Sequence, residues 1–157
     1  MERNEILKDI RERFKEDILD FTEKSAKRVY IGIKPESLVK IAVHVFKGMG
    51  ARFNIASGLD GRDFLEILYH FTFDEANVVI SFRVKLKKDK PEIDSLAPHI
   101  EATNWIEREL SEILGVKFNG HPDMRPLLLP DNWPKGVYPL RRDYKEWDPN
   151  AIRDRGV

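Results

Sequence analysis

Apolar residues recur at helical spacing from the start of the chain. Ile6, Ile10, Phe14, Ile18 and Phe21 are separated by charged residues, which predicts an amphipathic helix over residues 2–28. Such a helix packs on its own domain or docks a partner. Val29 to Ile33 reads as a short β-branched strand. Pro35 then suits a first helical position. Leu38, Val39, Ile41, Ala42, Val45, Phe46 and Met49 give the following helix a broad apolar face, which Gly48 and Gly50 end. Arg52 to Ala56 is the next strand. A strand–helix–strand unit of this length implies a right-handed crossover between two parallel strands.

Residues 57–61, Ser-Gly-Leu-Asp-Gly, read as a turn. The clearest pattern follows it. Leu65, Ile67, Tyr69, Phe71 and Phe73 alternate with other residues. After Asp74-Glu75-Ala76-Asn77, the residues Val78, Ile80, Phe82, Val84 and Leu86 alternate with Ser81, Arg83, Lys85 and Lys87. This is a β-hairpin with one buried face and one wet face. A polar loop leads to a last helix that Gly115 stops. The order α-β-α-β-β-β-α predicts an α+β fold. It is a two-layer domain with an about four-stranded mixed sheet and helices on one face.

The pattern changes after residue 118. Prolines 122, 126, 130, 134, 139 and 149 all fall in the tail. That density forbids a helix or a central strand. The expected organisation is an α/β domain over residues 1–118 and an extended arm over 119–157. Residues 119–148 could span about 90–100 Å at roughly 3.3 Å per residue. Leu127, Leu128, Leu129, Trp133, Tyr138, Tyr144 and Trp147 make the arm apolar enough to need a surface. Ordering it costs on the order of 1–2 kcal/mol per residue, which burial must offset. The expectation is burial partly on another protein. The alternative is wrapping back on its own domain.

Composition narrows the function. Basic and acidic residues balance at 27 each, with no basic stripe, so nucleic acid is not expected as a partner. An RNA-binding sandwich would expose aromatics on a basic sheet, whereas this alternation buries them. There is no cysteine, so this chain supplies no disulfide and no thiolate for zinc or iron–sulfur clusters. His44, His70, His99 and His121 form no HxxxH or HExxH pair. No GxSxG or phosphate loop is present, which disfavours a free-standing small-molecule enzyme. Apolar runs are far shorter than the roughly 20 residues of a membrane span. The polar, acidic N-terminus is unlike a signal peptide. A cytoplasmic protein that meets a membrane only through partners is expected. Absent glutamine and abundant Lys, Arg and Glu resemble thermophilic composition.

Glu107 and Glu109 flank Arg108 on the last helix. At about 100° per residue they sit on opposite borders of the Ile106–Leu110–Ile113–Leu114 stripe, so they cannot face one small substrate together. Glu109, at i,i+4 from Trp105, is the expected partly buried carboxylate. Arg108 and Glu112 are expected to pair with each other on the outer face.

Residues 104–144 resemble a known family. Asn104-Trp105-Ile106-Glu107-Arg108-Glu109 is followed by Gly115, then by Phe118-Asn119-Gly120-His121-Pro122-Asp123-Met124-Arg125, then by Leu127-Leu128-Leu129-Pro130. Pro139-Leu140-Arg141-Arg142-Asp143-Tyr144 completes the series. This is similar to the signature of the 30-kDa subunit family of respiratory complex I. Glu112 stands where that family usually has Asp, Leu114 where it often has Phe, and Pro126 where a basic residue is usual. Those departures and the short chain point to relatives in archaeal membrane-bound nickel–iron (NiFe) hydrogenases and related energy-converting or sulfane-sulfur-reducing complexes.

The resemblance implies a non-catalytic structural subunit of the cytoplasmic-side peripheral arm. Its partner would be the large subunit related to the 49-kDa subunit of complex I. It implies no cofactor in this chain, with the NiFe centre or iron–sulfur clusters in partner subunits. Arg108, Arg125, Arg141 and Arg142 would offer forked donors to the partner. Gly120 and Pro122 would shape the exit from the domain, and His121 and Asp123 would fix that bend by hydrogen bonding. Leu127, Leu128, Leu129, Trp133 and Tyr138 would be buried anchors. Trp105, Glu107, Glu109, Leu140, Asp143 and Tyr144 complete the implied interface.

Overall fold

The computed structural model describes residues 1–145. Trp147 and Pro149 of the arm lie outside the described residues. The first helix, α1 (Arg3–Arg13), is less than half the expected length. Its start is fixed by the Glu2 backbone N–H, which donates to the Glu5 carboxylate at 3.0 Å. Phe14 leaves helical geometry, at φ −112° and ψ 25°.

Ile18 and Phe21, expected to continue the helix, belong instead to strand β1 (Ile18–Ser25). A β-bulge between Ile18 and Asp20 shifts the register. It leaves Ile18 and Phe21 as the two partly buried residues of this edge strand. Their spacing of three therefore imitates a helix.

Strand β2 (Arg28–Ile33) pairs antiparallel with β1. Pro35 opens a single 3-10 turn, Pro35–Ser37, which runs into α2 (Leu38–Val43) and a π turn, His44–Gly48. Strand β3 (Arg52–Asp60) includes residues expected to turn. The actual turn lies at residues 61–63. Strands β4 (Phe64–Phe73) and β5 (Val78–Lys87) form the expected hairpin, in continuous register from Phe64↔Lys87 to Phe73↔Val78.

The sheet has five strands in the order β1-β2-β5-β4-β3. β2 runs parallel to β5, and the other pairings are antiparallel. It follows that β2 and β3 point the same way, as the crossover required. They are not neighbours, because the β4–β5 hairpin is inserted between them.

The inward residues of the hairpin pack with Ile6 and Ile10 of α1 and Leu38 and Ile41 of α2 in one continuous core. Phe71 meets Phe53 and Phe82 edge-on, with ring centroids 5.4 and 5.9 Å apart. Burial of each such ring stabilises the fold by roughly 1.5–3 kcal/mol. The opposite sheet face carries the Glu66–Arg83 ion pair at 2.7 Å and His70 between the Ser57 and Ser81 hydroxyls.

The last helix, α3 (Asn104–Leu114), closes over β3. Their separation is set by Gly58, where an added Cβ would lie 2.4 Å from Leu114 and 2.6 Å from Leu110. The loop read as polar contains β6 (Glu92–Asp94), which pairs parallel with β7 (Lys117–Asn119). Ile93 and Phe118 bury the inner side of this small pair. From Gly120 to Lys145 there is no helix or strand.

Gly58→Val should push α3 off β3 and cost about 1–3 kcal/mol, as overpacking does. Urea unfolding followed by circular dichroism measures this. Unchanged stability would mean that the Leu110–Leu114 face has room to spare.

Candidate functional site: helix α3 and the arm it holds

Helix α3 presents several sides, and almost all are used. Leu110 and Leu114 face the core. Glu109 is partly buried as expected, but Glu107 is the fully buried carboxylate of the helix, which was not expected. The wheel treated α3 as having one wet side. In the structure the loop before α3, braced by the β6–β7 pair, covers the flank where Glu107 lies. The Ser95 hydroxyl and the Leu96 backbone N–H, at 2.7 Å, donate to its two oxygens. His121 Nε2 is 3.9 Å away. Burial pushes the Glu107 carboxyl above its ordinary value of 4.5, outweighing the hydrogen bonds from Ser95 and Leu96. The neighbouring Tyr69 hydroxyl is buried without a partner among the described residues. Burial first, and Glu107 second, raise its pKa well above 10.0.

His121 begins the arm. Its Nε2–H donates to the Asn104 carbonyl at 3.0 Å, and its Nδ1 accepts the Asp123 backbone N–H at 3.0 Å. Asp123 in turn accepts from Arg125 through the backbone N–H and the guanidinium. These bonds hold its carboxyl well below the usual range. Gly120, at φ +75°, makes the left-handed bend that precedes them. The expected bend at Gly120–Asp123 is therefore present, closed on α3.

The next stretch lies along the same helix. Arg108 donates from Nε to the Arg125 carbonyl and from Nη2 to the Pro126 carbonyl, both at 2.9 Å. Glu112 accepts the Leu127 and Leu128 backbone N–H groups, both at 2.7 Å. Arg108 and Glu112 are thus not each other's partners. Each grips the arm, and together they satisfy four backbone groups of an extended segment that has no neighbouring strand.

The arm then crosses the end of α3. Gly115 ends the helix at φ +74°, and the Tyr138 ring lies where a Gly115 Cβ would be. Leu140 N–H donates to the Ile113 carbonyl at 3.0 Å, and Arg141 Nε donates to the Leu114 carbonyl. Arg141 also lies over the Tyr138 ring, 5.6 Å from its centroid. The Arg142 backbone N–H donates to Asp60 at 2.8 Å, while Lys88 approaches the other oxygen of that carboxylate at 2.5 Å. Trp133 stacks on Tyr144 with centroids 6.3 Å apart and donates to the Val137 carbonyl at 2.8 Å.

As far as Lys145, then, the arm wraps back on its own domain. Leu127, Leu129, Trp133, Tyr138 and Tyr144 are partly buried there, whereas Pro122, Leu128, Leu140, Arg142 and Asp143 face outward. Asp60 and Ser95 are the site residues that sequence reasoning missed. Asp60 was hidden in an apparent turn, and Ser95 in an apparent polar loop. No group of three potential metal ligands occurs among the described residues. No described helix is long and apolar enough to cross a membrane.

Glu107→Gln should keep the fold, with the amide replacing the carboxylate. Because the folded pKa is raised, Glu107 contributes stability that is fully present below 4.5 and lost as pH rises through the folded value. The wild-type advantage over the Gln variant should therefore shrink with rising pH when urea unfolding is compared across the range. A pH-independent difference counts against the shift. Tyr69→Phe removes an orphaned hydroxyl and should leave stability unchanged or raised in the same assay.

Known proteins share both the sequence and the fold. The model of the respiratory-chain NADH dehydrogenase 30-kDa subunit family matches residues 31–149. The chain is 39% identical over 100 residues to a subunit of the F(420)H(2) dehydrogenase of Methanosarcina mazei, covering 62% of this chain and 63% of that relative. It is 30% identical over 150 residues to a subunit of the NADH-quinone oxidoreductase of Geobacter metallireducens, covering 91% of this chain and 90% of that one. It is 28% identical to formate hydrogenlyase subunit 5 of Escherichia coli, covering 88% of this chain but 25% of that longer protein. The fold matches a chain in the structure of the membrane-bound sulfane sulfur reductase, an archaeal respiratory membrane complex. The TM-score is 0.78 at 19% identity, over 92% of this chain and 86% of that one. The signature read along α3 and the arm and the match over residues 31–149 agree: this chain belongs to the 30-kDa subunit family of respiratory-chain NADH dehydrogenase.

Proposed function

We propose that this chain is a non-catalytic structural subunit in the cytoplasmic-side peripheral arm of a membrane-bound oxidoreductase. In that role it docks on a large subunit related to the 49-kDa subunit of complex I. The observation that carries the reading is the use made of the family signature. Its residues Arg108, Glu112, His121 and Asp123 grip an arm and close a bend of this chain's own backbone. The relatives support membership of a multi-subunit respiratory complex. Formate hydrogenlyase subunit 5 adds a specific support. The region similar to this chain is a quarter of that protein, so there the domain is joined to a much larger neighbour. A domain fused to a large unit in one protein is suited to bind such a unit in another.

In this reading the chain carries no cofactor. The NiFe centre or iron–sulfur clusters belong to partner subunits. A complete absence of cysteine agrees with that division. The hydrogenase branch is preferred on the sequence departures noted above. A quinone-linked or sulfane-sulfur-reducing complex would use the chain in the same way.

Purification from native membranes, with peptide sequencing of the tightest-bound partner, tests both levels. The expected partner is a large subunit with two CxxC pairs that ligate nickel. A large subunit lacking them moves the assignment to a quinone- or sulfur-linked complex, and recovery of the chain with no such subunit overturns the docking role. A chain ending at Asn119 should still fold, because every buried core hydrophobic among the described residues lies at or before Phe118. It should hold the partner more weakly, having lost the outward-facing Leu128 and Leu140 of the arm. Undiminished retention of the large subunit would place the interface wholly on the domain.

A further inference from the structure

One strip of α3 is open to water at Trp105. Trp105 stands on it at 71% exposure, the highest of any large hydrophobic side chain among the described residues. An indole left in water on a rigid helix is a poor use of the largest apolar side chain. Tryptophan is also among the side chains that most often anchor an interface.

The charges around it are one-sided. Glu109 lies at i,i+4 on the same face of α3. Glu101, four residues before Trp105, borders the same surface hollow together with Ala102 and Asn104. Neither Glu101, which is exposed, nor Glu109, which is half-buried, has a hydrogen bond or ion pair among the described residues. The nearby cations are already engaged. The Arg108 guanidinium is spent on the Arg125 and Pro126 carbonyls, and Arg125 on Asp123. Glu112, one turn further on, is spent on the Leu127 and Leu128 N–H groups. What remains is an aromatic face between two unpaired carboxylates. Met124 and Leu128 are exposed on the arm segment held against the same helix.

From this juxtaposition we infer that the Glu101–Trp105–Glu109 ridge is a docking cradle for an arginine or lysine side chain presented by the partner subunit. The cation lies on the indole face, as cations do on tryptophan, and the two carboxylates neutralise it from either side. The apolar margin of Met124 and Leu128 excludes water from the contact. An acidic or purely apolar partner segment would leave both carboxylates uncompensated on burial. The charge pattern therefore selects a basic one. The inference rests on the docking role proposed above and gives that role a location and a chemistry.

The test uses the complex prepared without this subunit and titrated with the purified full chain, at low and at high salt. Wild-type chain should bind, and more weakly at high salt. Trp105→Ala and the double variant Glu101→Gln/Glu109→Gln should each weaken binding at low salt by at least about tenfold, the lower end of a truncated interface anchor. The double variant should also lose most of the salt dependence. Trp105→Phe, which keeps an aromatic face, should retain part of the affinity. Circular dichroism controls for folding, and none of these residues lies in the core. Wild-type affinity and salt dependence in the variants would overturn the cradle while leaving the docking role intact. Failure of the wild-type chain to bind the depleted complex would overturn both.

Discussion

Every backbone N–H and C=O that is taken from water must find a partner, and in this chain two segments cannot find theirs alone. A helix end leaves its last carbonyls open, and an extended proline-rich arm has no neighbouring strand. Helix α3 and the arm solve the two problems together. Leu140 N–H and the Arg141 guanidinium satisfy the carbonyls of Ile113 and Leu114. Arg108 and Glu112 reach out to satisfy the carbonyls and N–H groups of residues 125–128. The bend at Gly120–Asp123 and the clamp of Arg142 on Asp60 serve that same apposition. The sheet and the first two helices build a core, but this exchange of hydrogen bonds decides where the signature residues point.

Gly115 shows how economical the arrangement is. Its positive φ ends α3, and the absence of a Cβ lets Tyr138 lie over it. Any other residue would strain the cap and displace the ring at once. Gly58 does the matching task on the inner side, where Leu110 and Leu114 approach β3. The helix is thus held at its distance by one glycine beneath it and released from the arm's path by another at its end.

Much of this was legible in the sequence, for physical reasons. The β4–β5 hairpin was readable because its two strands alternate cleanly over ten residues each. The end of α3 followed from Gly115, and the extended arm followed from proline. Strand β1 was illegible because a bulge places Ile18 and Phe21 at a helix-like spacing on an edge strand with little buried surface. Strands β6 and β7 are three residues each, too short to show a period. The insertion of β4–β5 between β2 and β3 is a non-local choice that no local pattern encodes. In the site, the chemistry of Arg108, Glu112, His121 and Asp123 was readable, but their partners were not. A helical wheel assumes one dry side and one wet side. It cannot foresee that a loop will cover one flank and an arm another.

That failure of the wheel explains the two glutamates better than either a catalytic or a simple surface reading does. Glu107 and Glu109 are two residues apart, so on a helix they must point in different directions. The covered flank takes Glu107, and three polar groups gather round it because a buried carboxylate without them would be untenable. The remaining strip takes Glu109 together with Trp105. The density of the signature follows from geometry. A helix buried on its core side, on the loop side and beneath an arm has few positions left that tolerate arbitrary residues. The positions still facing outward are then the ones on which a partner's chemistry can be written.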